Sequence, residues 1–431
     1  YRRAMREKEL RLALVCYGGV SLAVYMHGIT KEIWHCLIAS RAWNDGRGVG
    51  PASAVYRDLL QDMETRAGTR LRVMCDILAG SSAGGMNSIF LAQAIVTGQS
   101  LEPLTQLWLD NADADELADP DARAQGRFTK AWAQPVAWAA LRSAKTLKET
   151  VGSDARDEIA DKLSRFVRGR WFEPPFGGRE FSEMMLDAFA SMEASPPGLS
   201  LLPPGHPLDL FVTMTDFNGH SRKLSLHSPP QVTEKEHRIT ANFSTRRRDG
   251  TGLAHPAELA FAARATASFP GAFPPFSVTE LDALLKERGD AWPTREAFLK
   301  RVLPSAYRGR EEEAVLIDGA VLSNAPFQQA IGALRNRPAR REVDRRFVYI
   351  DPVPDTQNFQ FGRRSNGKDD EAHLPGFLTT LLGALTNIPR QQPIRESLEA
   401  LQRRSNQIER TQFITRNLHR EIDQLVEQTF G

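Results

Sequence analysis

The run Gly80-Ser81-Ser82-Ala83-Gly84 fits G-x-S-x-G, in which small neighbours let a chain turn so sharply that the central serine stands clear of the backbone. A serine hydroxyl is a weak nucleophile at neutral pH. To attack a carbonyl, Ser82 needs a base within hydrogen-bond reach and N–H donors for the oxyanion that forms. A helix opening near Ala83 would add the positive end of its dipole beside that charge. Small residues at such a turn also serve close packing, so Gly80 and Gly84 have a structural explanation alongside their place in a nucleophile elbow.

The identity of the base is less plain. A hydrolase with the chain order serine, acid, histidine would draw its histidine from His373 or His419, the two that follow residue 318. His373 stands in a charged loop sequence and His419 in the middle of a helical one. His27 and His255 are nearer to glycine or proline turns, where a lone histidine is ordinarily structural. The segment "AVLIDGAVLSNAP" at 314 to 326 offers an acid instead: Asp318 closes an apolar strand and precedes a glycine. Asp-Gly is also an ordinary turn pair. On residue types alone, a Ser-Asp pair and a Ser-Asp-His triad using His373 both remain open.

These residues must be carried by strands that end where they stand. "LALVCY" (12 to 17) reads as a buried strand, followed by Gly18-Gly19 and by apolar residues at helical spacing from 23 to 37. The order strand, glycine turn, helix recurs in "VMCDILAGSSAGGMNSIFLAQAIV" at 73 to 96. Further strands are expected at 210 to 216, 314 to 318 and 346 to 351. Strands alternating with helices imply a mainly parallel sheet whose ligands gather at the carboxyl ends of the strands. Between about 101 and 200 the strand signal gives way to a helical insertion, bounded by the turn-rich "SPPGLSLLPPGHP". After Asp351 a polar linker leads to helices in which Ile394, Leu401, Ile408 and Ile422 share a seven-residue register. Arg404, Thr411 and Thr415 interrupt that seam, which favours a packed helix over a free coiled coil. The apolar piece 377 to 388 is expected to be buried, with a membrane surface as its alternative.

Taken together, these motifs resemble the patatin-like phospholipases. The family's elements occur here in order: "YGGVS" at 17 to 21, "GSSAG" at 80 to 84 and "DGAVLSNAP" at 318 to 326. "TMTDFNG" (213 to 219) and "AARATASFPGAFPPF" (262 to 276) are similar to two further family regions. The resemblance implies a three-layer α/β/α fold, with a hydrolase domain over 1–355 and a linker and helical extension over 356–431. It implies a Ser-Asp dyad without histidine, carried over as Ser82 nucleophile and Asp318 base, needing no metal or cofactor. It places backbone N–H groups of Gly18, Gly19 and Val20 around the oxyanion. The usual loop reads G-G-G-x-R/K-G, whereas Tyr17 precedes two glycines here and no Arg or Lys follows until Lys31. That divergence resembles a bacterial subgroup of large patatin-like proteins with extra C-terminal regions. It also motivates a reading from another class, a lipid-binding module that keeps the fold without catalysis. The implied substrate is a phospholipid or lysophospholipid ester, with the apolar stretch 269 to 278 a candidate acyl groove.

Bulk properties narrow the partners. Of 431 residues, 55 are basic and 53 acidic, a formal charge of +2 that gives no case for nucleic acid. A peripheral membrane contact is compatible with the local run Arg246-Arg247-Arg248. Cys16, Cys36 and Cys75 lack paired spacing, so a reducing cytoplasm is the simplest setting. No run reaches the ~18 apolar residues of a membrane span. The charged opening is not a signal peptide, and the chain starts without Met, as an excised fragment would. Neither glycine turn supplies the G-x-G-x-x-G of a dinucleotide site. Oligomeric state is not legible.

Overall fold

The structure, a computed structural model, describes residues 6–19, 23–110, 177–196, 198–225, 231–247, 252–270, 272–335, 337–351 and 395–430. Val20, His373, the core of the expected insertion and the segment 377 to 388 lie outside them.

The first half contains β1 (Arg6–Cys16), α1 (Ala23–Asp45), α2 (Pro51–Ala67), β2 (Thr69–Gly80), α3 (Ser82–Thr97) and α4 (Glu102–Asp110). There follow α5 (Gly178–Glu193), β3 (Asp209–Ser225), β4 (Gln231–Ser244), α6 (Pro256–Thr266), α7 (Val278–Arg288) and α8 (Arg295–Val302). The last elements are β5 (Leu316–Asp318), α9 (Phe327–Gly332), β6 (Glu342–Ile350) and α10 (Arg395–Phe430).

The apolar run at the end of β1 is buried on both sides, as an interior parallel strand requires. Leu14 and Cys16 enter a large core with α1, α3, α5 and α6, whereas Ala13, Val15 and Tyr17 enter a smaller one with Phe327, Ala330 and Ile331 of α9. Helices thus cover both faces of the sheet, giving the α/β/α sandwich. The strand order is β4-β3-β2-β1-β6. β1 runs parallel to β2 and β6, and β2 parallel to β3, while β4 lies antiparallel on β3. α3 is buried on all sides, which its almost wholly apolar and small-residue sequence permits.

β3 acts as a ruler for the site. Its Val212 pairs with Gly80 at the end of β2, and Met214, two residues on, pairs with Asp318 at the end of β5. β5 is antiparallel to β3 and occupies the edge that β2 vacates. The ends of β2 and β5 therefore meet head to head.

The expected strands are all present, with β1 beginning earlier and β3 running further than their apolar cores. β4 and α2 were not foreseen. β4 is an outer strand with a polar, partly alternating sequence rather than an apolar run, and only Ser53 and Leu60 of α2 are buried. Within the expected insertion, α4 and α5 are helical as anticipated. α10 is one continuous helix of 36 residues. It touches the body near its start, where Leu401 packs in the smaller core and Arg404 Nη1 donates to Ile331 O at 3.2 Å. Further along, Ile408, Leu418, Ile422 and Leu425 are exposed. The aromatic stretch after α6 contributes to the core, because Phe276 is fully buried against Phe261.

Candidate active site

Ser82 follows Gly80-Ser81 at the turn from β2 into α3. Among the described residues it is the one non-glycine with positive φ, at 52°, a left-handed conformation that costs a side-chain-bearing residue roughly 1–2 kcal/mol. Three contacts make the turn this tight. A Cβ on Gly84 would stand 2.4 Å from the carbonyl oxygens of both Cys16 and Tyr17, and one on Gly80 would stand 2.6 Å from Gly84 O. Only glycine admits such backbone approach. Ser81 N–H donates to Cys16 O at 3.2 Å, which binds the elbow to β1.

The Ser82 hydroxyl donates to Asp318 Oδ2 at 2.6 Å. Ser82 is 3% exposed and Asp318 fully buried. The second carboxylate oxygen, Oδ1, accepts Ala320 N–H at 2.7 Å, capping the short 3₁₀ turn Gly319–Val321. Main-chain bonds hold the residue from both sides: its N–H donates to Ser268 O at 3.0 Å, and its carbonyl accepts the Thr215 hydroxyl at 3.0 Å. Gly319 is required here, because a Cβ would fall 2.1 Å from Thr213 O.

Thr266, at the end of α6, completes the elbow. Its Oγ1 accepts the Ser82 N–H at 2.9 Å and donates to Thr213 O at 2.7 Å. Arg264, two residues earlier and 1% exposed, donates to Ser268 Oγ and to Glu280 of α7, which fixes the residue whose carbonyl accepts the Asp318 N–H. The residue types around Thr266 give it no role on their own. The small residues Ala262, Ala263 and Ala265 beside it were the available signal.

Gly18 stands directly over the elbow: a Cβ there would be 2.8 Å from Ser82 Cβ, 2.9 Å from Ala320 Cβ and 2.9 Å from Asn324 Oδ1. Its N–H, expected at the oxyanion, donates to Asn324 Oδ1 at 2.8 Å. Gly19 follows it, partly exposed. Tyr17 anchors the base of the loop. Its N–H donates to Ile350 O at 3.0 Å and its ring packs between Phe327 and Tyr349.

The histidines lie in other settings. His27, on α1, contacts Thr105 of α4 at 3.1 Å. His255 accepts Ala257 N–H at the start of α6, and His419 is exposed on α10 with Nδ1 2.8 Å from Thr415 O. The described residues contain no group of three or more His, Cys, Asp and Glu able to hold a metal ion.

A strained serine at the carboxyl end of a central strand, in an α/β/α sandwich, defines a class of fold built around a nucleophile elbow. Over residues 14–331 the chain matches the patatin-like phospholipase family, and it belongs to that family. It is also 28% identical over 360 residues to the uncharacterized membrane protein Rv3479 of Mycobacterium tuberculosis. That similarity covers 80% of this chain and 27% of the relative, so the chain spans about a quarter of the relative's length. No helix among the described residues is long and apolar enough to cross a membrane.

Proposed function

We propose that the chain is a serine acyl hydrolase that cleaves fatty acyl esters of phospholipids or lysophospholipids through Ser82 and Asp318. Family membership supports lipid acyl hydrolysis in general. The 2.6 Å bond from Ser82 Oγ to a carboxylate oxygen carries the assignment of the two residues. Asp318 Oδ2 takes the hydroxyl proton as Oγ bonds to the ester carbonyl carbon. The tetrahedral intermediate then collapses, the C–O bond to the alcohol breaks, and the proton passes from Asp318 to the leaving oxygen. Water enters, gives its proton to Asp318 and attacks the acyl-serine. The fatty acid leaves as the proton returns to Ser82 Oγ.

No histidine is needed on this reading, because a carboxylate that accepts from Ser82 Oγ and Ala320 N–H can take the hydroxyl proton itself. The start of α3 directs its positive end towards the developing oxyanion. A peripheral contact with a lipid surface belongs to the proposal. Val24 and Tyr25 at the start of α1, and Phe217 on β3 beyond its pairing with β2, are exposed apolar side chains that could make such a contact. Three free thiols fit a reducing, cytoplasmic setting. The hydrolase unit is assigned to 1–355 and the extension to 356–431.

The test is p-nitrophenyl ester and lysophospholipid turnover by wild type, Ser82→Ala, Asp318→Asn and His373→Ala. Ser82→Ala is expected at background, Asp318→Asn lower by about 10²–10⁴-fold, and His373→Ala unchanged. Loss of turnover in His373→Ala would replace the dyad by a triad, and wild-type turnover in Asp318→Asn would remove Asp318 from the mechanism.

A further inference from the structure

The oxyanion loop and the base-bearing turn are joined by one side chain. Asn324, 8% exposed, accepts the Gly18 N–H on its Oδ1 at 2.8 Å. It is fixed to the turn that follows Asp318, because the N–H of the preceding residue, Ser323, donates to Gly319 O at 2.8 Å. Ser323 O in turn accepts the Thr213 hydroxyl at 3.1 Å. Hydrogen bonds therefore join Asp318, the Ser323–Asn324 turn and β3, and Gly18 is tied to that turn.

This has a consequence for the oxyanion. An amide N–H carries one hydrogen, and that of Gly18 is committed to Asn324; the N–H of Ser82 is likewise committed to Thr266. We infer that Asn324 is a positioning residue which holds Gly18 so that the next amide, that of Gly19, is presented to the oxyanion with the Ala83 N–H of the first turn of α3. First-turn amides have no partner within their own helix, which suits Ala83 to that task. Asparagine fits better than aspartate: both accept from Gly18, but a carboxylate would place a negative charge beside the oxyanion. The inference rests on the Ser82–Asp318 reading and adds to it the residue that sets the donor geometry.

The test compares hydrolysis of a p-nitrophenyl ester with its thionoester, in which sulfur replaces the carbonyl oxygen and accepts hydrogen bonds poorly. Wild type, Asn324→Ala, Asn324→Asp and Ser82→Ala are assayed together, with thermal melting as a check on folding. In Asn324→Ala the kcat for the ester is expected to fall about tenfold or more, with KM within about twofold, and the ester-to-thionoester preference to shrink in parallel; loss of one oxyanion donor outright costs about 10²–10³. Should Asn324→Ala not fold, Asn324→Asp keeps the Gly18 acceptor and nearly the same shape. It is expected to turn over the ester at least tenfold more slowly than wild type, again with little change in KM. Equal losses on ester and thionoester, or a wild-type kcat in both variants, would overturn the role of Asn324. Wild-type turnover in Ser82→Ala would overturn the dyad reading instead, so the two failures are distinguishable.

Discussion

Thr266 shows how a single hydroxyl can sustain a strained residue. It accepts from Ser82 N–H and donates to Thr213 O, so two buried main-chain groups are satisfied by one atom. Thr266→Val keeps the shape and strands both groups, which should destabilise the protein by about 1–3 kcal/mol. Thr266→Ser should stay within about 1 kcal/mol of wild type, because the hydroxyl survives. Urea denaturation of the two variants checks this, and equal stability in both would mean that the hydroxyl does not hold the elbow. At this scale Ser82 and Asp318 could be singled out from the sequence, because their types and flanking glycines point to the chemistry. Thr266 and Asn324 could not be, since each acts through a bond to a main-chain N–H 184 or 306 positions away. Nothing near either residue in the chain names its partner.

The elements bring these residues together through backbone contacts that tolerate no side chain. Gly84 lies against the carbonyls of Cys16 and Tyr17, in a strand paired on both sides and unable to yield. Gly84→Ala should therefore cost about 3 kcal/mol or more, at the upper end of overpacking. Gly28→Ala is the contrasting case. Gly28 is exposed in α1 with nothing near its Cβ position, so alanine should stabilise the helix by about 0.5–1 kcal/mol. Melting of both variants reads the two signs, and a neutral Gly84→Ala would contradict the close approach. β1 and β2 were legible as apolar runs because both of their faces are buried. The antiparallel direction of β5 was not, since three residues carry no periodicity. Yet that direction is what brings Asp318 to meet Ser82 end to end along one edge of β3.

At the scale of the whole molecule, many charges among the described residues are paired, and one buried cluster centres on Asp76. A bulge in β2 sets Asp76 out of register with β1. There it meets His206 Nε2 at 2.9 Å, Arg337 at 3.4 Å and Arg345. Burial by itself would raise the Asp76 carboxyl, but the hydrogen bonds and charges of His206, Arg345 and Arg337 outweigh it and hold the group well below the usual carboxylate range. His27, beside Lys31 and Glu102, is pushed down to about 4, first by burial and then by Lys31. Both folded values lie below the unfolded ones of about 3.9 and 6.5, so protons bind the unfolded chain more readily. Their stability is present at neutral pH and is lost as pH falls: His27 acts between about 6.5 and 4, Asp76 below about 4. Urea midpoints from pH 7 to 3 should show the upper decline in wild type and lose it in His27→Gln; a profile unchanged by that substitution would contradict the assignment. Neither the bulge nor this charge cluster could be read from the chain, whose near-balanced composition says nothing of which charges meet. The central claim, that Ser82 is a nucleophile activated by Asp318, is tested most directly by mapping a fluorophosphonate adduct by mass spectrometry. One adduct on the Ser82 peptide of wild type, strongly reduced in folded Asp318→Asn, is the predicted result. An adduct on another residue, or equal labelling of Ser82 in both proteins, would contradict it.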